Sequence, residues 1–233
     1  MNTDFTICVG TVGAGVWFSP DGGEHWRRSR MNLPFEAEPG EIQIRSLAVS
    51  PHNSHHVLAG SEVGLYLSED NGAKWDMIES PAGSRQIWSV AFHPGDPDTM
   101  FFGTKPPAVY RSRDRGKTWE QLAIPMAERC LAGAPKVTNV IVDPRDKKTL
   151  WVGVEIDGVY CSRDDGKTVR LAGALKARVA ALDKSLPDGA RLRAVYVICS
   201  CSASERRGTR FAGRRIAGEI RPTAMGDEMP GEE

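Results

Sequence analysis

The sequence predicts an all-β chain assembled from tandem four-stranded units, and three observations carry that prediction. A polar octamer recurs four times: SPDGGEHW (19–26), SEDNGAKW (68–75), SRDRGKTW (112–119) and SRDDGKTV (162–169). An aromatic residue stands two positions before each octamer: Trp17, Tyr66, Tyr110 and Tyr160. A glycine stands eight or nine positions before it: Gly10, Gly60, Gly103 and Gly153. The acid at the third place of the octamer recurs at intervals of 49, 44 and 50 residues, the kind of period that marks a repeat architecture.

Each unit divides into four short strands. LAVS, VAFH and VIVD, closed by Pro51, Pro94 and Pro144, are continuous apolar runs suited to strands buried on both faces. A turn rich in Pro, Asn and Asp follows, then HVLAG, TMFFG and TLWVG as second strands. GLYLS, AVYRS and GVYCS form the third. The octamer makes the hairpin, and its Trp opens the fourth strand. Four-stranded units of about 45 residues in tandem are the blades of a β-propeller. The expected fold is therefore an all-β propeller of four-stranded antiparallel blades, incomplete at about four blades, with an irregular C-terminal tail.

Residues 1–169 are expected to hold the blades, and 170–233 a degenerate blade remnant or a divergent, partly disordered tail. Past Val169 there is no Trp and no fifth octamer. LRAVYVICS (192–200) echoes IRSLAVSP and reads as a lone first strand. RLAGALKARVAALDKSL (170–186) has apolar residues at helical spacing, and TAMGDEMPGEE reads as a disordered end. The first unit lacks its innermost strand. These breaks read as a truncated or frame-shifted version of a longer propeller, whose open blade edges invite self-association.

The octamer resembles the Asp box of the BNR repeat, Ser-x-Asp-x-Gly-x-Thr-Trp, found in sialidases, sortilin-type receptors, xyloglucanases and photosystem II assembly-factor propellers. The matching positions are Ser19, Asp21, Gly23 and Trp26; Ser68, Asp70, Gly72 and Trp75; Ser112, Asp114, Gly116 and Trp119; and Ser162, Asp164 and Gly166, with Val169 where the fourth Trp would stand. The resemblance covers residues 5 to 169. It implies that each box forms the hairpin between third and fourth strands, on the face opposite an active site. The physical chemistry agrees: Asp accepts hydrogen bonds from the backbone of its own turn, Gly takes a positive φ, and Trp covers apolar surface.

The resemblance also raises a glycoside hydrolase as the enzymatic alternative, with a Tyr nucleophile in its sialidase branch. Tyr66, Tyr110 and Tyr160 share one repeat position with Trp17, which marks them as structural. The box acids are structural for the same reason. Function is expected in residues that differ between units, on the opposite rim: the long loops 30–43 and 123–136 and the residues beside them. The candidate binding residues are Glu36, Glu38, Arg45, Glu62, Trp88, Lys105, Arg129, Glu155 and Asp157, with Thr138 placed like Arg45 and Trp88. Glu62 and Glu155 would serve acid–base chemistry only about 5–10 Å apart. His52, His55 and His56 cluster in one turn without a further evident metal ligand.

The 30 basic residues balance the 30 acidic ones, so no net field points to nucleic acid or an anionic membrane as partner. No apolar run reaches the length of a spanning helix, and Asp4 stands where a signal peptide carries basic residues. Five scattered cysteines fit unpaired thiols, and with them a cytoplasmic location. No cofactor is implied. The expected function is a non-catalytic propeller scaffold that binds a protein or glycan through its loop rim.

Overall fold

The computed structural model describes residues 5–32, 42–129 and 133–172, and all regular structure among them is strand. The chain divides into two compact units, Met1–Cys199 and Ser200–Glu233, and the described residues all belong to the first. The strand expected at 192–200, the acidic end and the helix expected at 170–186 (beyond its first three residues) lie outside the described residues.

Four antiparallel sheets follow one another along the chain. Blade 1 holds β1 (Ile7–Gly10), β2 (Val16–Ser19) and β3 (Arg27–Arg28). The chain then runs as β4 (Arg30–Met31) along the outer margin of the next sheet. Blade 2 holds β5 (Ile44–Val49), β6 (Val57–Ser61), β7 (Leu65–Ser68) and β8 (Lys74–Ile78), with β4 parallel to β8. Blade 3 holds β9 (Gln86–Phe92), β10 (Met100–Lys105), β11 (Val109–Ser112) and β12 (Glu120–Gln121). Blade 4 holds β13 (Val137–Val142), β14 (Leu150–Val154), β15 (Gly158–Ser162) and β16 (Arg170–Leu171). Apart from β4, which pairs with β8, sequence neighbours pair in each sheet, as short hairpin connections require. Arg170 and Leu171, expected to open a helix, instead close blade 4.

The core is three separate seams, one between each pair of blades. Val16, Ile44, Val57, Ala59, Tyr66 and Trp75 fill the first. Leu58, Leu65, Ile87, Met100, Phe102 and Tyr110 fill the second, where the Phe102 ring stacks on Tyr110 and meets Trp119 edge-on, both at 4.8 Å. Phe101, Val109, Leu122, Val140, Val152 and Val169 fill the third. The second strand of a blade is central in this arrangement, and β6 is buried along its whole length. The first strands are less buried than expected: Leu47, Ala48, Ala91 and Ile141 stay partly exposed. They lie at the inner margin of their sheets and have a strand neighbour on one side only.

The recurrent glycine of the second strand has a packing cause. A Cβ built on Gly10 would stand 2.5 Å from Ile44 Cγ2, and one on Gly60 2.6 Å from Ile87 Cγ2. On Gly103 it would collide with Val137. The first strand of each following blade thus presses an aliphatic knob onto bare backbone. A strand glycine marks such a close approach.

The box tryptophans differ in burial with their place in the arc. Trp75 is fully buried, whereas Trp26 of blade 1 is 42% exposed, with no blade before it among the described residues. Val169 takes the fourth place and is itself buried, with Ile124, Met126 and Leu171 packed against its cluster. Trp75→Ala is expected to cost about 3–5 kcal/mol, and Trp26→Ala about 1–2 kcal/mol, because only partial burial is lost. Gly60→Ala is expected to cost about 1–3 kcal/mol through overpacking against Ile87. Urea unfolding of the three variants checks the order.

Candidate functional site

All four octamers form the same hydrogen-bonded turn. The Ser hydroxyl (Ser19, Ser68, Ser112, Ser162) donates to Oδ1 of the Asp two residues on, at 2.7, 2.9, 2.7 and 2.7 Å. The Gly N–H (Gly23, Gly72, Gly116, Gly166) donates back to that hydroxyl. The N–H of the residue four past the Ser-bonded Asp donates to Oδ1 of Asp21, Asp70, Asp114 and Asp164 at 2.8–2.9 Å. In the three complete boxes the indole N–H of Trp26, Trp75 and Trp119 donates to the carbonyl of the box Gly. Each Gly and the residue before it have positive φ, and that residue is Asn71, Arg115 or Asp165 in blades 2 to 4. Its N–H donates to the turn between first and second strands: Asn71 to His55, Arg115 to Asp98 and Asp165 to Lys148. Every box is therefore pinned at the same end of its blade.

These bonds stabilise the ionised carboxylates. Thr118 donates through its hydroxyl and its backbone N–H to Asp114, and Ser112 adds a third bond. Together they hold the Asp114 carboxyl at about 2. Thr168 and Ser162 hold Asp164 at about 2 in the same way. Asp21 lies well below the carboxylate range, chiefly through the His25 N–H. The boxes are also cross-linked to the neighbouring blade. The buried Arg111 guanidinium of β11 donates to the Asp165 carbonyl at 2.6 Å and to Glu120 at 2.7 Å.

At the other end of the blades a second feature recurs. In β5 the partner of Ile44 is Ser61 and the partner of Ser46 is Gly60, which leaves Arg45 as an extra residue. In β9 Trp88 is extra in the same way, between Ile87 and Ser89, and in β13 it is Thr138, between Val137 and Asn139. Each is a β-bulge directly after the aliphatic knob, and a bulge re-aims the side chain it carries. Arg45 and Trp88 meet: the guanidinium carbon lies 4.3 Å from the indole centroid. Lys136 reaches the same ring, with Nζ at 4.0 Å, and pairs with Glu155 at 3.1 Å. Trp88 Nε1 donates to Gln86. Arg45 of blade 2, Trp88 of blade 3 and the loop residue Lys136 thus form a cation–aromatic cluster, each contact worth about 0.5–2 kcal/mol.

The remaining candidates divide. Both Glu62 oxygens accept the Gln43 N–H, at 2.7 and 2.9 Å. Asp157 accepts from Tyr160 OH at 2.7 Å and from Ala127 N–H at 2.8 Å, which ties the loop after β12 to blade 4. Beside it Ile156 has φ of 68°, a conformation costly for a β-branched residue and held here by its neighbours. Lys105 ends β10 at a cis bond to Pro106, and Arg129 is exposed. Glu36 and Glu38 lie outside the described residues. Lys136, within the long loop 123–136, was not distinguished from its neighbours by any repeat position. The three turn histidines have separate partners: His52 the His93 carbonyl, His55 the Asn71 side chain and His56 Glu69.

The three tyrosines of the repeat position are poor nucleophiles. Burial, with the charge of Glu62, pushes Tyr66 up to about 12. Burial and the bond to Asp157 push Tyr160 higher still. Tyr66, Tyr110 and Tyr160 are all within 4% of full burial in the seams between blades.

A succession of antiparallel blades, three of them with all four strands, and one such hairpin per blade define an Asp-box β-propeller. The match of the family profile described as "Sortilin, neurotensin receptor 3" to residues 63–185 makes the assignment specific: the chain belongs to the sortilin/Vps10 family. A vacuolar protein sorting/targeting protein 10 of Chaetomium globosum is 36% identical over 59 residues, which are 25% of this chain and 4% of that protein. Xyloglucanase Xgh74A of Acetivibrio thermocellus is 29% identical over 132 residues, covering 45% of this chain and 15% of the enzyme. The crystal structure of an ancestral GH74 enzyme superposes with a TM-score of 0.59 at 20% identity, over 73% of this chain and 23% of that one. The chain therefore spans a small part of each relative. The cytoplasmic location expected from the sequence does not hold: four of the curated relatives are vacuolar protein sorting/targeting proteins. Scattered thiols and an acidic N-terminus report on local chemistry, not on compartment.

The box carboxylates set a pH dependence. Asp114 and Asp164 titrate at lower pH in the fold than unfolded, so the stability they contribute is present above the unfolded value near 4 and is lost as pH falls through about 2. Acid unfolding is expected to steepen between about pH 4 and 2, and Asp114→Asn is expected to flatten that slope. Melting temperature against pH for both proteins measures it.

Proposed function

We propose that this chain is a non-catalytic propeller segment that binds a protein or glycan ligand on the rim carrying the first-strand bulges. The stack of Arg45, Trp88 and Lys136 carries the reading. Three successive blades spend the same irregular position on three different side chains, while the rest of the repeat stays uniform. A partly exposed indole beside two cations offers apolar surface and two charged donors. That combination suits a sugar ring or an aromatic side chain beside an acidic group. Among the described residues, the carboxylates nearest this rim are already engaged: Glu62 by Gln43, Glu155 by Lys136 and Asp157 by Tyr160. None is left as a paired acid and base.

The likeness to xyloglucanase Xgh74A keeps one second reading, a glycoside hydrolase. The two readings separate by assay. On peptide and oligosaccharide arrays, Trp88→Ala is expected to weaken the retained ligand at least about tenfold, the equivalent of about 1.4 kcal/mol, with Trp26→Ala as a control on the opposite end. No sugar release is expected from xyloglucan, an aryl β-glucoside or a sialoside. Turnover that disappears in Glu62→Gln or Glu155→Gln would replace the scaffold with the hydrolase.

A further inference from the structure

The seam between blades 1 and 2 is filled unlike the other two. On the face turned to the following blade, Cys8 holds the place of Leu58 in blade 2 and of Phe101 in blade 3. On the face opposite, Val49 holds the place of Phe92 in blade 3 and of Val142 in blade 4. The second seam therefore closes here with Leu58 and Phe92, and the third with Phe101 and Val142. The first has only a thiol and a valine, with no large side chain at either place. A cleft of about 450 Å³ lies there, at the box end of the blades, and its walls include Phe5, Cys8, Leu47, Val49, His55 and Asn71. That volume falls within the range of about 300–1,000 Å³ typical of small-molecule sites.

We infer that this cleft binds a neutral small molecule with an apolar body and one carboxamide-like polar edge. The apolar body follows from Phe5, Leu47, Val49 and Val57, which form one wall. Phe5 and Val49 are 54% and 57% exposed, so a ligand between them removes apolar surface from water. Neutrality follows from the lining, which among the described residues includes no Asp, Glu, Lys or Arg. An unpaired charge would be desolvated there without a counter-charge. Burial, with the nearby charge of Asp70, pushes the Cys8 thiol up, and its Sγ donates to the Asn71 carbonyl at 3.2 Å. The polar edge follows from Asn71 and His55, which are bonded twice. The Asn71 N–H donates to the His55 carbonyl, and the Asn71 amide Nδ2 donates to His55 Nδ1 at 3.2 Å. The second bond places the proton of the neutral imidazole on Nε2, as a donor, and leaves Asn71 Oδ1 as an acceptor. One donor and one acceptor on a fixed pair of residues match the C=O and N–H of a carboxamide. A carboxylate would satisfy only the donor.

Ligand-observed NMR titrations of the full chain test it, with 2-naphthamide as probe, in the wild type, Cys8→Leu and Val49→Phe. Each variant installs the residue that closes the second seam at the same place. The wild type is expected to bind 2-naphthamide saturably, and each variant at least about tenfold more weakly. Val49→Phe alters an exposed position, so it remains informative if Cys8→Leu does not fold. The anion 2-naphthoate, of the same shape, is expected to bind at least about tenfold more weakly than the amide. Absence of saturable binding in the wild type, or binding undiminished in Val49→Phe, overturns the inference. Equal binding of 2-naphthoate overturns the neutral class. Binding that weakens as protein concentration rises overturns it as well, since a second copy would then occupy the cleft.

Discussion

The structure rests on one repeated contact: an aliphatic side chain at the start of a blade pressed onto the glycine backbone of the blade before it. Ile44, Ile87 and Val137 make it three times. The contact brings adjacent sheets close enough for Trp75, Phe102 and Val152 to be fully buried in the seams. It also places the next residue, the bulge, at one end of every blade. The boxes at the opposite end are stitched by hydrogen bonds, to their own turns and through Arg111 to the next blade. Apolar contact fixes how far apart the blades stand, and polar contact fixes how each hairpin closes.

Much of this was legible because it is local. The box needs only eight consecutive residues, so Ser, Asp and Gly appear in register in the sequence and meet in the fold within one turn. The strands followed from short apolar runs closed by Pro51, Pro94 and Pro144. Arg45, Trp88 and Thr138 could be grouped by their place after Ile44, Ile87 and Val137. The bulge itself was not legible, because a register slip depends on the partner strand. Lys136 was missed for a similar reason. It sits in a loop without repeat texture, and only the packing of blade 4 on blade 3 brings it to the indole.

The candidate carboxylates illustrate how burial and pairing redirect residue types. Glu62 and Glu155 look alike in the sequence as acids in second-to-third-strand loops. In the fold one caps a backbone N–H and the other neutralises a lysine. The repeated tyrosines are likewise taken up by packing, since Tyr66, Tyr110 and Tyr160 are all buried in the seams between blades. The chemistry left on the rim is that of recognition, in keeping with the general separation of fold from function.

The stack around Trp88 has a mechanical consequence. Arg45 and Trp88 belong to different sheets and Lys136 to the loop that leads into a third, so no single strand sets the 4.3 and 4.0 Å separations. Two knob contacts set them instead, Ile87 on Gly60 and Val137 on Gly103. A small hinge-like opening at either seam moves a cation off the ring while leaving every sheet intact. The indole therefore works as a gauge of the angle between blades. A ligand that closes over both cations would act as a brace across two joints, resisting flexure between the blades.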